Sequence, residues 1–204
     1  MHDVFITSMG TFLPNAAISN MEMEDYLGRV NGKNSSVRDR ILKQNGIRQR
    51  YYALNKSQES THSNAQMAGM AIQDAIDKSD LNPADITLLC TGTTQADLPV
   101  PGFASMVHAE LNFSACEIAS FQSVCASGMM ALKNAFVQIK SAEKENAVCV
   151  GSEFASRLFK SSRFEAQQIK SSCSWSMLNF YGGCFPMVQV LVFFRIDQEQ
   201  EDCH

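Results

Sequence analysis

A cysteine followed directly by small residues is the part of this sequence best suited to covalent chemistry. Residues 123–132 read SVCASGMMAL, so Cys125 precedes three small residues and a helical pattern that reaches about Lys140. In the first turn of a helix, backbone N–H groups lack carbonyl partners and the helix dipole is positive. Both effects favour the thiolate, which is the nucleophilic form, and the same N–H groups can stabilise an oxyanion. The pattern is consistent with a nucleophile that attacks a thioester carbonyl.

The same spacing also fits a structural cysteine at the start of a buried helix, because most buried cysteines are inert. The residues that follow Cys125 are apolar nearly all round the predicted helix, which favours burial of the whole helix. They are Met129, Met130, Ala131, Leu132, Ala135, Phe136, Val137 and Ile139. Spacing alone leaves both interpretations open and favours the structural one.

Three further segments accompany the cysteine in a consistent order. They are residues 4–14 (VFITSMGTFLP), 45–51 (NGIRQRY) and 147–153 (AVCVGSE). Taken with residues 123–132, they resemble the N-terminal half of the β-ketoacyl-(acyl carrier protein) synthase III-like family in the thiolase-like superfamily. The likeness covers residues 4 to about 167. It implies a thiolase-like half domain with an α/β fold, whose mainly parallel sheet carries helices on both faces.

The local patterns agree with that fold. Predicted strands alternate with predicted helices, which is typical of parallel crossover connections and of an α/β sheet. The strands are expected at residues 4–8, 86–91, 117–121 and 147–150. The helices are expected at residues 37–45, 61–78, 101–111 and from 125 to about 140, with a short one from a capping box at 19–22 to residue 28.

In the family, the cysteine takes an acyl group from a carrier thioester, and a carrier-bound malonyl unit then loses CO₂ and attacks that group. The resemblance implies an acyltransferase whose catalytic residue is Cys125, which we expect to be the most reactive of the seven cysteines. Condensation also needs a His and an Asn in the second half of the family's proteins, where they hold the enolate oxygen. None of the four histidines lies in a matching context; they are His2, His62, His108 and His204. We therefore interpret the chain as truncated and expect acyl capture without condensation.

Beyond about Gln167 the resemblance ends. Residues 1–167 are interpreted as the thiolase-like half domain, and residues 168–204 as a divergent or frameshifted tail. With the reading frame shifted by two nucleotides, one permitted set of codons for residues 180–192 reads LRWMLSDGAGAGV, which resembles the family's next segment. The aromatic residues of the tail are expected to lack strand or helix partners; they are Trp175, Phe180, Tyr181, Phe185, Phe193 and Phe194.

Two other interpretations of the chain stay open. It could be a catalytically inactive half-synthase that binds a complete subunit or a carrier protein. It could also be a non-functional translation product with exposed apolar surface.

The expected partner is an acyl carrier protein or an acyl-coenzyme A thioester. Arg48 and Arg50 occupy alternate positions of a predicted extended segment, where they could meet a phosphopantetheine group or an acidic carrier. Exposed arginines also commonly contribute nothing measurable, so an ordinary surface role stays open. Alignment on this segment puts Arg40 and Gln44 where many priming synthases hold coenzyme A with a Trp and an Arg, which favours a carrier protein as donor. The resemblance also implies a homodimer or heterodimer.

Composition argues against several other function classes. A formal net charge of −4 argues against non-specific nucleic-acid binding. No apolar run is long enough for a membrane span, and the first residues lack the basic start of a signal peptide. The seven cysteines form no CxxC pair and no metal-ligand spacing, so we expect reduced thiols, a cytoplasmic location, and neither a metal nor a cofactor.

Overall fold

The computed structural model describes residues 3–29, 38–163 and 190–195 of the chain, which divides into two compact units. The first unit comprises Met1–Phe12, Asn64–Glu153 and Gln189–His204, and the second comprises Leu13–Ser63 and Phe154–Val188. The elements follow one another as β1 (Phe5–Gly10), β2 (Ile18–Ser19), α1 (Met23–Leu27), α2 (Arg38–Asn45), β3 (Gln49–Arg50), α3 (Asn64–Ile76), β4 (Leu88–Gly92), α4 (Phe103–Ala109), β5 (Glu117–Phe121), α5 (Ser127–Lys140), β6 (Asn146–Gly151), α6 (Ser156–Phe159) and β7 (Val190–Arg195).

A five-stranded sheet in the order β1-β7-β6-β4-β5 forms the centre of the first unit. Strand β4 pairs in parallel with both β5 and β6, and all of its residues are buried. That burial accounts for the continuous apolar run at residues 86–91, since a parallel strand covered on both faces has no solvent side. The predicted α/β sheet with parallel strands is thus confirmed.

Helices cover both faces of the sheet around β4. On one face, α3 and α4 enclose a core whose buried members include Ala68, Ile72, Leu89, Val107 and Val148. On the other face, Ala131, Ala135 and Ile139 of α5 pack with Leu88, Cys90, Ala147 and Cys149. The small alanines let α5 lie close to the strands, and the spacing of four residues keeps them on one side of the helix.

Strand β1 lies close against α3 because its last residue has no side chain. A Cβ atom at Gly10 would lie 2.4 Å from Ala71 O and from Ala75 N. Ser8 Oγ, on the same side of β1, donates a hydrogen bond to Ala75 O at 2.7 Å. Strand and helix therefore touch backbone to backbone at this point.

The outer side of α5 does not follow the prediction of a wholly buried helix. Met129 and Val137 are 64% and 51% exposed, and Met130 and Phe136 are also exposed. Strand β5, which precedes this helix, is an edge strand of the described sheet rather than a core strand. The apolar pattern all round α5 could not distinguish the side that packs on the sheet from a side that no described element covers.

The expectation that the tail lacks strand partners is wrong for Val190–Arg195. This segment forms β7, which pairs antiparallel with β1 and with β6; Phe193 pairs with Val148, and Phe194 with Ala147. Its run of β-branched and aromatic residues has high strand propensity, whatever its likeness to the family's motif. The tail's other aromatic residues, Trp175, Phe180, Tyr181 and Phe185, lie outside the described residues.

The second unit contains the antiparallel β2–β3 pair and buried side chains of its own, among them Ile18 and Leu54. Tyr52 is almost fully buried, which raises the pKa of its hydroxyl, and its backbone carbonyl accepts a hydrogen bond from Asn15 Nδ2 at 2.7 Å. The predicted capping pair forms in part: Ser19 N–H and Oγ–H donate to Glu22 Oε2 at 3.1 and 2.6 Å. The helix itself begins only at Met23, later than predicted.

Replacement of Gly10 by Ala tests the contact between β1 and α3. The added methyl group would overlap backbone atoms that cannot move independently, so we expect a loss of about 1–3 kcal/mol of unfolding free energy. Urea unfolding followed by circular dichroism measures it.

Gly69→Ala is the matched control for Gly10→Ala. A Cβ atom at Gly69 would lie 3.1 Å from Cβ of the exposed residue Glu110, and the substitution improves helix propensity by about 1 kcal/mol. It should leave stability unchanged or raise it. Equal losses in the two variants would contradict the proposed close contact of Gly10.

Candidate active site

Cys125 lies where the sequence predicted it, at the start of a helix. It is the middle residue of a 3₁₀ turn, Val124–Ala126, which follows β5 and leads directly into the 14-residue α5. Of the four cysteines that the structure describes, only Cys125 is exposed. Cys125 is thus an accessible thiol in the turn immediately before α5, two residues from the first residue of the helix.

The turn that carries Cys125 has a strained backbone. Val124 has φ = +50°, a left-handed conformation that is unusual for a β-branched residue. The buried side chain of Ser127 holds the turn: its Oγ accepts a hydrogen bond from Ser123 N–H at 2.9 Å and donates one to Val124 O at 2.7 Å. Strained residues persist where their surroundings determine the conformation, and they are common at functional sites.

The small residues after Cys125 let the start of α5 touch the ends of two strands. A Cβ atom at Gly92, the last residue of β4, would lie 2.4 Å from the carbonyl carbon and oxygen of Ser127. A Cβ atom at Gly151, the last residue of β6, would lie 3.4 Å from Gly128 Cα. Cys125 is therefore held at the carboxyl ends of parallel strands, where open α/β sheets place their ligands.

A buried polar network joins the ends of β4 and β6. Asn64 Nδ2, at the start of α3, donates to Thr93 Oγ1 at 2.9 Å, and Ser152 Oγ donates to Asn64 Oδ1 at 2.5 Å. The carboxylate of Asp97 accepts the backbone N–H groups of Asn64 and Ala65 at 2.9 and 2.8 Å, which caps α3. No sequence pattern predicted this network, because Asn64 lies inside the helix expected at residues 61–78 and not at its start.

The other described thiols lie in less reactive environments. Burial raises the pKa of the Cys90 thiol, although a hydrogen bond from Asn134 Nδ2 at 3.2 Å opposes the shift. Burial also raises the pKa of the half-buried Cys116. Cys149 is buried beside Cys90, its register partner across β4 and β6.

Arg50 does not lie in the exposed position that the sequence suggested. Its side chain is fully buried in the second unit, and it donates to Ser19 O at 3.3 Å and to Asn20 Oδ1. Desolvation lowers the pKa of the guanidinium. Only Gln49 and Arg50 form β3, so Arg48 precedes the strand and is exposed, whereas Arg50 is buried. The predicted alternation, which put both arginines on one face, is therefore wrong.

Two of the four histidines lie in the described part of the chain. His62 contacts Thr61 Oγ1 at 3.0 Å, and His108 packs edge-on against Phe113. Among the described residues, no group of three His, Cys, Asp or Glu side chains could hold a metal ion. No helix within those residues is long and apolar enough to cross a membrane.

The amino-acid sequence is similar to a known family and to several known proteins. The family model of the thiolase N-terminal domain matches residues 47–180. A β-ketoacyl-[acyl-carrier-protein] synthase III from Cereibacter sphaeroides is 30% identical over 153 residues, which are 75% of this chain and 44% of that protein. One from Jannaschia sp. is 32% identical over 150 residues, 74% of this chain and 43% of that protein. The chain thus spans less than half the length of these relatives.

Solved structures show the same fold. A tetronic acid condensing enzyme superposes with a TM-score of 0.77 at 19% identity, over 97% of this chain and 56% of that one. The 3-oxoacyl-[acyl-carrier-protein] synthase III of Aquifex aeolicus superposes with a TM-score of 0.70 at 20% identity, over 97% of this chain and 55% of that one. These similarities confirm the predicted thiolase-like fold.

The thiols should differ in reactivity as their surroundings differ. We expect iodoacetamide to modify Cys125 at least about tenfold faster than Cys90, Cys116 or Cys149, because an exposed helix-start thiol reacts more readily than buried ones. Peptide mapping by mass spectrometry after short native labelling measures the four rates. In denaturant the rates should converge; preferential native modification of Cys90 or Cys149 would contradict the assignment.

Ser127→Ala should loosen the turn that carries Cys125. The variant leaves Ser123 N–H and Val124 O without their partner, so we expect a loss of about 1–3 kcal/mol in unfolding free energy. Chemical denaturation measures the change. Ser141→Ala is the control at the other end of α5, where an exposed hydroxyl donates to Gln138 O at 3.0 Å; a similar loss there would argue against a special role for Ser127.

Proposed function

Because this chain belongs to the family of the thiolase N-terminal domain and is similar to β-ketoacyl-[acyl-carrier-protein] synthases III, we propose that Cys125 is an acyl acceptor in thioester chemistry. The observation that carries the proposal is its position: an exposed thiol in a strained turn at the start of α5, beside the carboxyl ends of parallel strands. The family model covers this turn, and the aligned segment of the relatives is long enough to include it.

The proposed step is transfer of an acyl group from one sulfur to another. The Cys125 thiolate attacks the donor's thioester carbonyl, and backbone N–H groups at the start of α5 stabilise the tetrahedral oxyanion. The intermediate collapses, the donor's carbon–sulfur bond breaks, and the donor leaves as a thiolate that takes up a proton. A new thioester then joins the acyl carbon to Cys125 Sγ.

The donor that fits the exposed charges is an acyl carrier protein, with acyl-coenzyme A as the alternative. Arg40, Lys43 and Arg48 of the second unit are exposed cations. They suit an acidic protein surface or the phosphate of a phosphopantetheine arm, since complementary charge steers association. Arg50 is removed from this set because it is buried.

Condensation is not included in the activity proposed for the 204-residue chain. Its decarboxylative step needs groups that stabilise an enolate, and losing one oxyanion donor alone costs about 10²–10³ in rate. None of the four histidines lies in a sequence context that matches the family's catalytic histidine. We therefore propose a condensation-defective acyl acceptor that retains the first half of the family's chemistry.

A second candidate function is that of an inactive half-synthase that binds another protein. The exposed apolar side of α5 favours it, because contiguous apolar surface marks interaction sites. Met129, Met130, Phe136 and Val137 lie on this side. The partner would be a complete synthase subunit or a carrier protein.

Acylation of the purified protein tests the first proposal. The protein is incubated with an acyl carrier thioester and, separately, with acetyl-coenzyme A, and adducts are located by intact mass and peptide mapping. We expect one acyl group on Cys125, none on Cys125→Ala, and an unchanged adduct on Cys116→Ser, which removes a half-buried thiol instead. Added malonyl carrier should yield no condensation product.

Other results of this experiment are equally decisive. Folded wild-type protein that takes up no acyl group from either donor would contradict the acyl-acceptor proposal, and a stable complex with a complete synthase would then favour the interaction role. Cys125-dependent condensation would show that another residue supplies the missing enolate stabilisation.

A further inference from the structure

A chain of hydrogen bonds links the ends of the three parallel strands just before Cys125. Glu153, which follows β6, accepts two hydrogen bonds on one carboxylate oxygen: Thr94 N–H at 2.6 Å and Thr94 Oγ1–H at 2.5 Å. Thr94 follows β4, and its carbonyl oxygen accepts a hydrogen bond from Gln122 Nε2 at 2.8 Å. Gln122 follows β5 and lies three residues before Cys125.

This series of side-chain hydrogen bonds begins where the backbone hydrogen bonds between the strands end. The last backbone bonds across the strands are Thr93 N–H to Phe121 O at 3.1 Å and Ser152 N–H to Gly92 O at 3.0 Å. Beyond them, the polar side chains of Glu153 and Gln122 make the next links between the strand ends. The bonds to Glu153 are short and are made to an ionisable acceptor, which is the stronger class of hydrogen bond.

The Cys125 turn needs support on this side. Ser127 holds its helical end, through bonds to Ser123 and Val124. Its strand end comes from β5, an edge strand, and Gln122 is exposed. Without the bond to Thr94 O, the approach to the strained Val124 would be held only by the edge strand and by the bond from Ser123 N–H to Ser127 Oγ.

We propose that Glu153 is a positioning residue for Cys125. It orients Thr94, the carbonyl of Thr94 fixes Gln122, and Gln122 fixes the direction in which the chain enters the turn, so that Sγ is held at the helix start. Glu153 acts through these residues and does not touch the acyl donor. The inference deepens the proposed function. Only its acylation measurement depends on that function; the alkylation measurement does not.

The main test compares Glu153→Gln with Asp97→Asn. Both variants replace a carboxylate that accepts two hydrogen bonds near the strand ends, but Asp97 caps α3 and is not linked to Gln122 by these bonds. Two rates are measured for each variant: alkylation of Cys125 by iodoacetamide, and acylation of Cys125 by an acyl carrier thioester. Labelling of Cys90 and Cys149 in the same samples reports opening of the core.

If Glu153 positions Cys125, Glu153→Gln should slow acylation by at least about tenfold, since small displacements of reacting groups are costly. Alkylation of Cys125 should also change, while Cys90 and Cys149 stay protected. Asp97→Asn should lower the unfolding midpoint without a comparable effect on either rate. Equal effects of the two variants on Cys125, or a wild-type rate in Glu153→Gln, would overturn the proposal.

Variants of the other two links keep the test valid if Glu153→Gln fails to fold. Gln122→Ala changes an exposed side chain, and it should reproduce the slower acylation. The double variant Gln122→Ala/Glu153→Gln should be acylated about as slowly as either single variant, because both residues act through the same series of hydrogen bonds. If the two rate effects multiplied, they would be independent, which would contradict that series. Thr94→Val should behave like Glu153→Gln, and Thr94→Ser, which keeps both donors, should restore the wild-type rate.

The proposed function and this inference can fail separately. If wild-type Cys125 takes up no acyl group, the acyl-acceptor proposal fails, and alkylation still measures whether Glu153 controls the thiol. If wild-type Cys125 is acylated and Glu153→Gln is acylated equally fast, only the positioning role is lost.

Discussion

The close backbone contact between the start of α5 and the end of β4 is the constraint on which the site depends. It exists because Gly92 has no Cβ atom, which would otherwise lie 2.4 Å from the carbonyl group of Ser127. With the helix held at this distance, the three residues before it must turn within a short span, and Val124 takes a left-handed conformation. The strain at Val124 is thus a consequence of packing, and the exposure of Cys125 follows from the turn.

Polar side chains at the starts of α5 and α3 and at the ends of β4 and β6 make the hydrogen bonds around that turn. Ser127 satisfies the two backbone groups nearest the strain, and the buried network around Asn64 stiffens β4 and β6 behind it. Each of these bonds alone is worth only about 0.5–1.5 kcal/mol of net stability. Together they restrict the conformation of the turn, because hydrogen bonds at both ends of a short turn leave its backbone few alternative conformations.

Features that depend on the local sequence pattern could be predicted from the sequence. Features that depend on which strands pair, or on what covers a helix, could not. The buried β4 and the helix start at Cys125 could be predicted from apolar runs and small residues. The inward direction of Arg50 depends on the pairing of β3 with β2. The strand propensity of residues 190–195 is a local pattern, but the place of β7 between β1 and β6 depends on pairing with distant parts of the chain. The link from Glu153 to Thr94 joins residues 59 positions apart, which spacing along the chain cannot reveal.

Helix α5 shows why its apolar pattern could not be assigned to one face. Its inner side carries small residues such as Ala131 and Ala135, which permit close approach to the strands, while its outer side carries larger ones such as Met129 and Val137. Side chains of that size gain most when they are buried, at about 25 cal/mol per Å² of apolar surface removed from water. Cys125 lies at the end of this same helix, so a protein that covered the outer side of α5 would also approach the thiol. Access to the Cys125 thiol and burial of the apolar face are therefore coupled, and the two candidate functions compete for one surface.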